Sequence, residues 1–595
     1  MNFIKGSARV GYPLLLFLPL FFLALVFLVP LLLILQYGIL NPNGSLTAEY
    51  LFFFINKDSK SKITWTFFKF TLMQAIASTV LTVLIGLPGA YYFARYDFRG
   101  KQLLRTLLTV PFVLPPIIVL LGFIVLFGSK GPARNLLSLF GSIFFFYQEN
   151  PPTSLTDPII FPTLEILGVR VGIPSIPIGI LLAHTFYNVP IVIRLVSSVL
   201  EQRDPALEEV ADTLGSKGFH RFRRLFVSQV LPGLLASSFL TFFYCFTSFA
   251  LVLYLGGVKY QTLEVRIYDL SRRFYTENHL HLASALAIIQ LLVCLGLVLF
   301  YYYLLRETAS RKIGRIEKPA VISLFGDRSV KLKTKIAFLG YLTVIILFLL
   351  SPLVAIVSRS IFIDGTFSLE AYEVLFGTQH SIQLHTSPRQ QIINSLIYAI
   401  VTLVIATFLG LCSATAIHHF RNQGRKKIAF VYMILILAPM AASGVTLGLG
   451  MLRVFGSEGL SRHGSIFVIS AHTLAALPFV NRAINAAYEK IDPELTQVSR
   501  SLGASSFRTF FRVELPLLAP GIIAAAVFAL AISFGEFGAT FFISTPDQAT
   551  MTVGIYQLLN LRRIEYSAAM ATMLILVCVA SFLIVDKAGR SGTLF

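Results

Sequence analysis

The sequence predicts an all-α integral membrane protein, with about twelve transmembrane helices in two parallel-related six-helix halves. Three observations carry that prediction. Of 595 residues, 56% are hydrophobic and 13% charged, with a mean hydropathy of +0.76, whereas a soluble domain carries roughly 25% charged residues. Apolar runs long enough to cross a bilayer, about 20 residues each, recur along the chain, LLLFLPLFFLALVFLVPLLLIL at 14–35 among them. Finally, one long stretch is present twice.

Apolar runs and their boundaries place helices at 13–36, 69–94, 103–127, 176–198, 234–255 and 282–305, then at 336–358, 392–417, 427–450, 464–486, 522–543 and 567–585. The first is too long for a signal-peptide core and no small-residue cleavage site follows it, so it is expected to be retained. The formal charge of +20 resides in short basic segments between apolar runs, such as RYDFRGKQLLR and KGFHRFRR. That pattern follows the positive-inside bias and argues against nucleic acid as a partner. An even helix number puts both termini in the cytoplasm, with the basic stretch 307–335 as a cytoplasmic linker. Residues 57–69, with Lys57, Lys60, Lys62 and Lys69, then fall outside, against the bias. Cys245, Cys294, Cys412 and Cys578 all lie in apolar runs without metal-ligand or redox spacing, and read as small hydrophobes.

The repeat fixes the organisation. AHTFYNVPIVIR begins at Ala183 and AHTLAALPFVNR at Ala471, an offset of 288. The same offset carries Asp204-Pro205 to Asp492-Pro493, Leu214-Gly215 to Leu502-Gly503, Pro232-Gly233 to Pro520-Gly521 and TLEVRIY to TMTVGIY, without a gap. Upstream, Phe98 aligns loosely with the segment near Gly424, and Pro115 with Pro439, at an offset of 324. The first half thus holds about 36 additional residues between its third and fourth helices, within an aromatic-rich external segment near 131–175. Equivalent positions are separated by an even number of helices, so the halves run in the same direction. The division expected is an anchor helix and external loop at 1–68, a first transmembrane domain at 69–306, the linker at 307–335, a seventh helix and external loop at 336–391, and a second transmembrane domain at 392–587.

Between the fourth and fifth helices of each half lies a cytoplasmic loop, DPALEEVADTLGSKGFHRFRRLFVSQVLPG or DPELTQVSRSLGASSFRTFFRVELPLLAPG. Asp-Pro opens a short helix, glycine permits a tight turn, and a second amphipathic piece leads back to the membrane. These loops resemble the EAA signature of ABC-importer permeases, Glu-Ala-Ala, three residues, then Gly. Matched by position, the signature is Glu209, Val210, Ala211 and Gly215 in the first half and Gln497, Val498, Ser499 and Gly503 in the second. Valine replaces the first alanine twice, Gln497 replaces the glutamate, and Leu515-Pro516 has Val227-Ser228 as its counterpart. The segments GILLAHTFYNVPIVIRL, LGGVKYQTLEVRIY and HLASALAIIQLLVCLGLVL resemble the fused permeases of thiamine and ferric-iron importers, and FGEFGAT at Phe534 is similar to oxyanion permeases.

The resemblance implies a type I ABC-importer permease fold, an inner-membrane location, alternating access, two ATPase subunits as partners on the two loops, and an extracytoplasmic solute-binding protein. No cofactor or metal site is expected. The chain has no P-loop, catalytic triad or HExxH-type site, so ATP hydrolysis is expected in a separate subunit. Candidate path residues are Glu536, His184, His472 and Asn188. Glu536 falls within an apolar run, where a charge costs roughly 2.5–3.5 kcal/mol. It reads either as a carboxylate lining the path and favouring a cationic cargo or as a structural hydrogen-bond acceptor, and its repeat equivalent is Ser248. His184 and His472 are equivalent, and the repetition suggests packing or helix-to-helix hydrogen bonding rather than an iron ligand. Asn188 pairs with Ala476. The segment near 131–175 reads either as a contact for the binding protein or as a loop covering helix ends. A secondary transporter would share the layout but require more intramembrane acid or basic groups, and a membrane enzyme would require a catalytic cluster.

Overall fold

The computed structural model describes residues 17–40, 45, 59–128, 131–133, 158–159, 164–166, 169–171, 176–201, 213, 227–273, 277–310, 322–327, 330–363, 365–377 and 386–592. Its helices are α1 Val29–Ile39 (preceded by a π-helical turn, Ala24–Leu28), α2 Ser59–Arg95, α3 Lys101–Val113, α4 Pro116–Phe127, α5 Ile178–Glu201, α6 Ser228–Phe246, α7 Ala250–Leu255, α8 Leu263–Arg273, α9 Glu277–Ser310 and α10 Leu332–Ile361. There follow α11 Glu370–Phe376, α12 Pro388–Asn422, α13 Lys426–Leu437, α14 Gly444–Tyr488 (interrupted at Gly456 and His463), α15 Pro493–Ser501, α16 Ser506–Thr509, α17 Leu515–Gly535, α18 Gly538–Ile543, α19 Met551–Asn560 and α20 Ile564–Gly592. Among the described residues, strands are confined to two- or three-residue ladders.

Among the described residues nine helices are long and apolar enough to cross a membrane, with α13 and the start of α14 a tenth, bent span. The remaining two expected spans are shorter apolar helices, Pro116–Phe127 and Val230–Phe246. Four helices expected to be continuous are broken. The 103–127 helix breaks at Leu114-Pro115, where Pro115 and Pro116 lack N–H groups, and the Leu114 carbonyl accepts from Tyr187 Oη at 2.8 Å. Its counterpart, 427–450, passes through a 3₁₀ turn at Ala438–Ala441 containing Pro439 and bends by 95°. The 234–255 and 522–543 helices break at Thr247–Phe249 and at Glu536-Phe537. Conversely, α2 starts at Ser59, so Lys60, Lys62 and Lys69 belong to a helix and not to a loop.

The chain forms two compact units, Phe53–Arg266 with Leu292–Arg359, and Met1–Phe52 with Ile267–Leu291 and Ser360–Phe595. In the first, α2, α5 and α6 pack around Ala90, Val192, Val196, Leu200 and Val230. A Cβ built on Gly86 would lie 2.8 Å from Val192 Cγ1, so glycine there lets α2 approach α5. Helix α10 closes the unit: Tyr341 donates to the Ile85 carbonyl at 3.0 Å. At the basic corner, Arg105 donates to Glu201 and Lys101 lies 3.8 Å from the same carboxylate. Burial, reinforced by Arg105, lowers the Lys101 pKa against the pull of Glu201.

The linker has structure that its composition does not advertise. Ile322-Ser323 pairs in parallel with Tyr96-Asp97 after α2. Leu324 donates its N–H to the Asp97 carbonyl at 2.9 Å and buries its side chain against Tyr96 and Phe338. Two apolar residues suffice for this anchor, too few to register as periodicity.

In the second unit, α12, α14 and α17 pack around Ala406, Ala476, Val480, Ile484 and Ala525. Helix α1 lies against α14, with Gly450 facing Pro30. Gly410 abuts Val480 as Gly86 abuts Val192, and Gly521 abuts Ala487 as Gly233 abuts Val199. Both sequence offsets, 324 and 288, therefore recur as helix contacts.

Candidate functional site

Two features of the second unit carry the candidate chemistry. The first is the loop between α14 and α17. Asp492 accepts from the Glu494 N–H at 2.9 Å and caps α15, with Pro493 as its first residue. The helix ends at Leu502, and Gly503 takes a φ of 84°, which a Cβ would oppose. Ser505 then caps α16 through the Arg508 N–H, and a π-helical turn at Phe510–Glu514 leads into α17. Gln497 is exposed and Ser499 is held inward by Thr509 at 3.0 Å. What the element presents outward is apolar: Leu502 is 83% exposed and Phe507 74%, with Leu495, Val498 and Phe511 beside them in exposure. Glu209, Ala211 and Gly215, the matching positions of the first loop, lie outside the described residues, as does most of the 131–175 segment.

The second feature is the break at Glu536. This residue sits between α17 and α18 and not inside a continuous helix, which corrects the expectation from the apolar run. Its carboxylate accepts from the Ala539 N–H at 2.7 Å, the Thr540 N–H at 2.9 Å and the Thr540 hydroxyl. His472 lies 3.6 Å away through Nε2, and hydrogen-bonds Thr540 and Ser533, each at 2.7 Å. Free N–H groups at a helix start favour a negative charge, so the cost of the buried carboxylate is offset locally. Its side chain is 10% exposed. Thr552 donates to the Glu536 carbonyl at 3.0 Å, tying the break to α19.

The first unit has the same break with different polar groups. His184 Nδ1 hydrogen-bonds Ser78 at 3.0 Å, and Asn188 donates to the His184 carbonyl at 2.8 Å and faces Cys245 at 3.5 Å. Thr262 donates to the Ser248 carbonyl at 3.3 Å. The structure thus joins His472 with Glu536, and His184 with Asn188, within separate units. Sequence reasoning missed the partners. Leu263 N donates to Thr71 Oγ1 at 2.9 Å, and Met551 N to Ser395 Oγ at 2.8 Å, related by the two repeat offsets. A hydroxyl at the 324-offset position in both halves was the available signal. No group of three or more metal-ligating side chains occurs among the described residues.

A duplicated bundle of membrane-crossing helices, each copy with a polar break in its fifth helix, and a helix–glycine–helix loop projecting from the better-described copy, defines a membrane transport permease. Residues 83–310 and 406–590 each match the family model for binding-protein-dependent transport system inner membrane components. The chain belongs to that family, the inner-membrane permeases of ABC importers, and carries its domain twice. It is 26% identical over 530 residues to the thiamine transport system permease protein ThiP of Escherichia coli, covering 88% of this chain and 89% of that one. It is 26% identical over 521 residues to ThiP of Haemophilus influenzae, covering 86% of each. It is 25% identical over 516 residues to the ferric transport system permease protein FbpB of Actinobacillus pleuropneumoniae, covering 85% of this chain and 69% of that one.

Proposed function

We propose that this chain forms the complete translocation path of a thiamine importer, with ferric iron as the second cargo class, and that it works with two ATPase subunits and one extracytoplasmic solute-binding protein. Support for the cargo comes from the likeness to thiamine permeases over almost the whole of both chains. Support for a separate ATPase comes from the exposed apolar ridge of Leu502 and Phe507 on a rigid, capped loop, together with the missing P-loop. The loop at 492–514 takes one ATPase through Gln497, Ser499 and Gly503, and its counterpart takes the other through Glu209, Ala211 and Gly215. Both termini and the 307–335 linker face the cytoplasm, and residues 69–306 and 392–587 act as the two transport domains.

In this reading the path residues are His472 and Glu536 of the second domain and His184 and Asn188 of the first. Glu536 shapes the path by holding α18 at an angle to α17, since its oxygens are engaged by Ala539, Thr540 and His472. Proteoliposomes containing the permease, an ATPase and a binding protein encoded alongside it should accumulate labelled thiamine only when ATP is inside the appropriate compartment. Uptake driven by an ion gradient without the ATPase would overturn the mechanism. ATP-driven uptake of labelled ferric iron or sulfate in place of thiamine would overturn the cargo alone.

A further inference from the structure

The end of the second unit that lies away from the 492–514 loop carries an arginine pair in unusual backbone. Helix α19 ends in Asn560-Leu561, followed by Arg562-Arg563. Arg562 has a φ of 57°, the one positive value at a non-glycine residue among the described residues. Its N–H bonds to the Leu559 carbonyl at 3.0 Å and that of Arg563 to the Leu558 carbonyl at 2.9 Å. This is the closing turn that ordinarily places glycine in the left-handed position. A helix C-terminus favours cations, but that preference does not require the arginine itself to take the left-handed position.

Location makes the pair more unusual. Helix α19 packs on the first turns of α12, where Gln391 donates to Gln557 at 3.0 Å and Asn394 to the Ala549 carbonyl at 3.0 Å. The last turn of α12 meets Glu489, next to the 492–514 loop, through Arg421 at 3.0 Å. A helix of this length, Pro388–Asn422, spans roughly 50 Å. Arg562 and Arg563 therefore occupy the outer end, where the charge bias of membrane proteins disfavours Lys and Arg. Both are exposed, and neither makes an ion pair among the described residues. Helix α8, the repeat counterpart of α19, also ends in an arginine pair, Arg272-Arg273, within the same compact unit. Arg272 is exposed and anchored by donating to the Phe542 carbonyl.

We propose that Arg562 and Arg563, supported by Arg272, are the outer docking site for an acidic surface of the delivering binding protein. This rests on the transport reading above. The chemistry is that of guanidinium recognising carboxylate: all these cations are arginines, whose planar fork bonds carboxylates in pairs, whereas a lysine would serve diffuse attraction equally well.

The test uses the full permease–ATPase complex in nanodiscs, with the binding protein that supports its uptake in vesicles as the probe. ATPase stimulation is read as the ratio with and without that protein in each preparation. The double reversal Arg562→Glu/Arg563→Glu is expected to raise the half-saturating binding-protein concentration about tenfold or more, and added salt should weaken the wild-type protein far more than the variant. Arg562→Gly should raise Tm while still weakening docking, opposite in sign to a purely structural role. Unchanged half-saturation in the reversal, or an effect present only in discs with anionic phosphatidylglycerol and absent in phosphatidylcholine, overturns the proposal, the second in favour of lipid. If no binding protein stimulates the wild-type complex, the transport reading itself fails and takes the docking site with it.

Discussion

The Glu536 carboxylate accepts the Ala539 backbone N–H at 2.7 Å, and with the Thr540 N–H and hydroxyl on its other oxygen this bond lets an acidic side chain sit among apolar helices. The residue caps α18 and fixes the break that separates it from α17. Glu536→Ala is expected to destabilise the permease by about 1–2 kcal/mol, the usual range for a lost cap, and to lower uptake. Glu536→Gln keeps one carbonyl acceptor and should fall between alanine and wild type in both thermal unfolding and uptake. An alanine variant that melts at the wild-type temperature would contradict the capping account.

Leu502 and Phe507 crown the 492–514 loop and stay 83% and 74% exposed, with the Phe507 ring centroid 4.5 Å from that of Phe511. Apolar anchors that act as hot spots at the centre of an interface cost about 2 kcal/mol or more when removed. Leu502→Glu/Phe507→Glu is therefore expected to weaken binding of the separate ATPase by roughly 30-fold or more, measured by titrating labelled ATPase onto permease in nanodiscs. Unchanged affinity would place the docking elsewhere.

Much of this was legible in the sequence because membranes simplify the code. Lipid requires helices of about 20 apolar residues, so ten of twelve spans follow from hydropathy once the bent pair is included. The repeat was legible because paired motifs such as AHTFYNVP and AHTLAALP keep one offset through helices whose contacts, Gly86 on Val192 and Gly410 on Val480, are duplicated. Breaks were not legible. Thr247–Phe249 and Glu536-Phe537 interrupt apolar runs without changing mean hydropathy, and the compensating groups, Thr540 and Thr262, are distant or ordinary in sequence. The Ile322-Ser323 anchor was hidden for the opposite reason, since a two-residue strand in a basic segment leaves no period to detect.

Gly410 faces Val480 where α12 crosses α14. Gly410→Ala should overpack this crossing and cost about 1–3 kcal/mol, with a matching loss for Gly86→Ala at Val192. Val480→Ala in the Gly410→Ala background should recover part of that loss, giving a coupling of about 0.5–3 kcal/mol in a double-mutant cycle. Strict additivity would mean that the close approach is not what requires glycine.

Leu324 ties the linker to the rest of its unit. It is fully buried against Tyr96 and Phe338, and its N–H pairs with the Asp97 carbonyl at 2.9 Å. Replacing it with alanine leaves a void and should cost about 2–5 kcal/mol at the anchor. Leu324→Asp adds an unpaired charge to the same pocket and should release the strand entirely. The helices on either side, α9 and α10, are held by their own packing, so the expected result is local. Trypsin should cut the basic linker severalfold faster in both variants while the melting temperature of the bundle changes little. The segment carries its cleavage sites at Arg311, Lys312 and Arg315, while Lys318 is shielded by the following Pro319, so the fragment sizes report the site directly. Equal cutting rates in wild type and Leu324→Asp would show that the Ile322–Leu324 contact does not hold the linker in solution. A large fall in bundle stability would show instead that the anchor supports α2 and α10 themselves, through Tyr96 and Phe338, and is not confined to the linker.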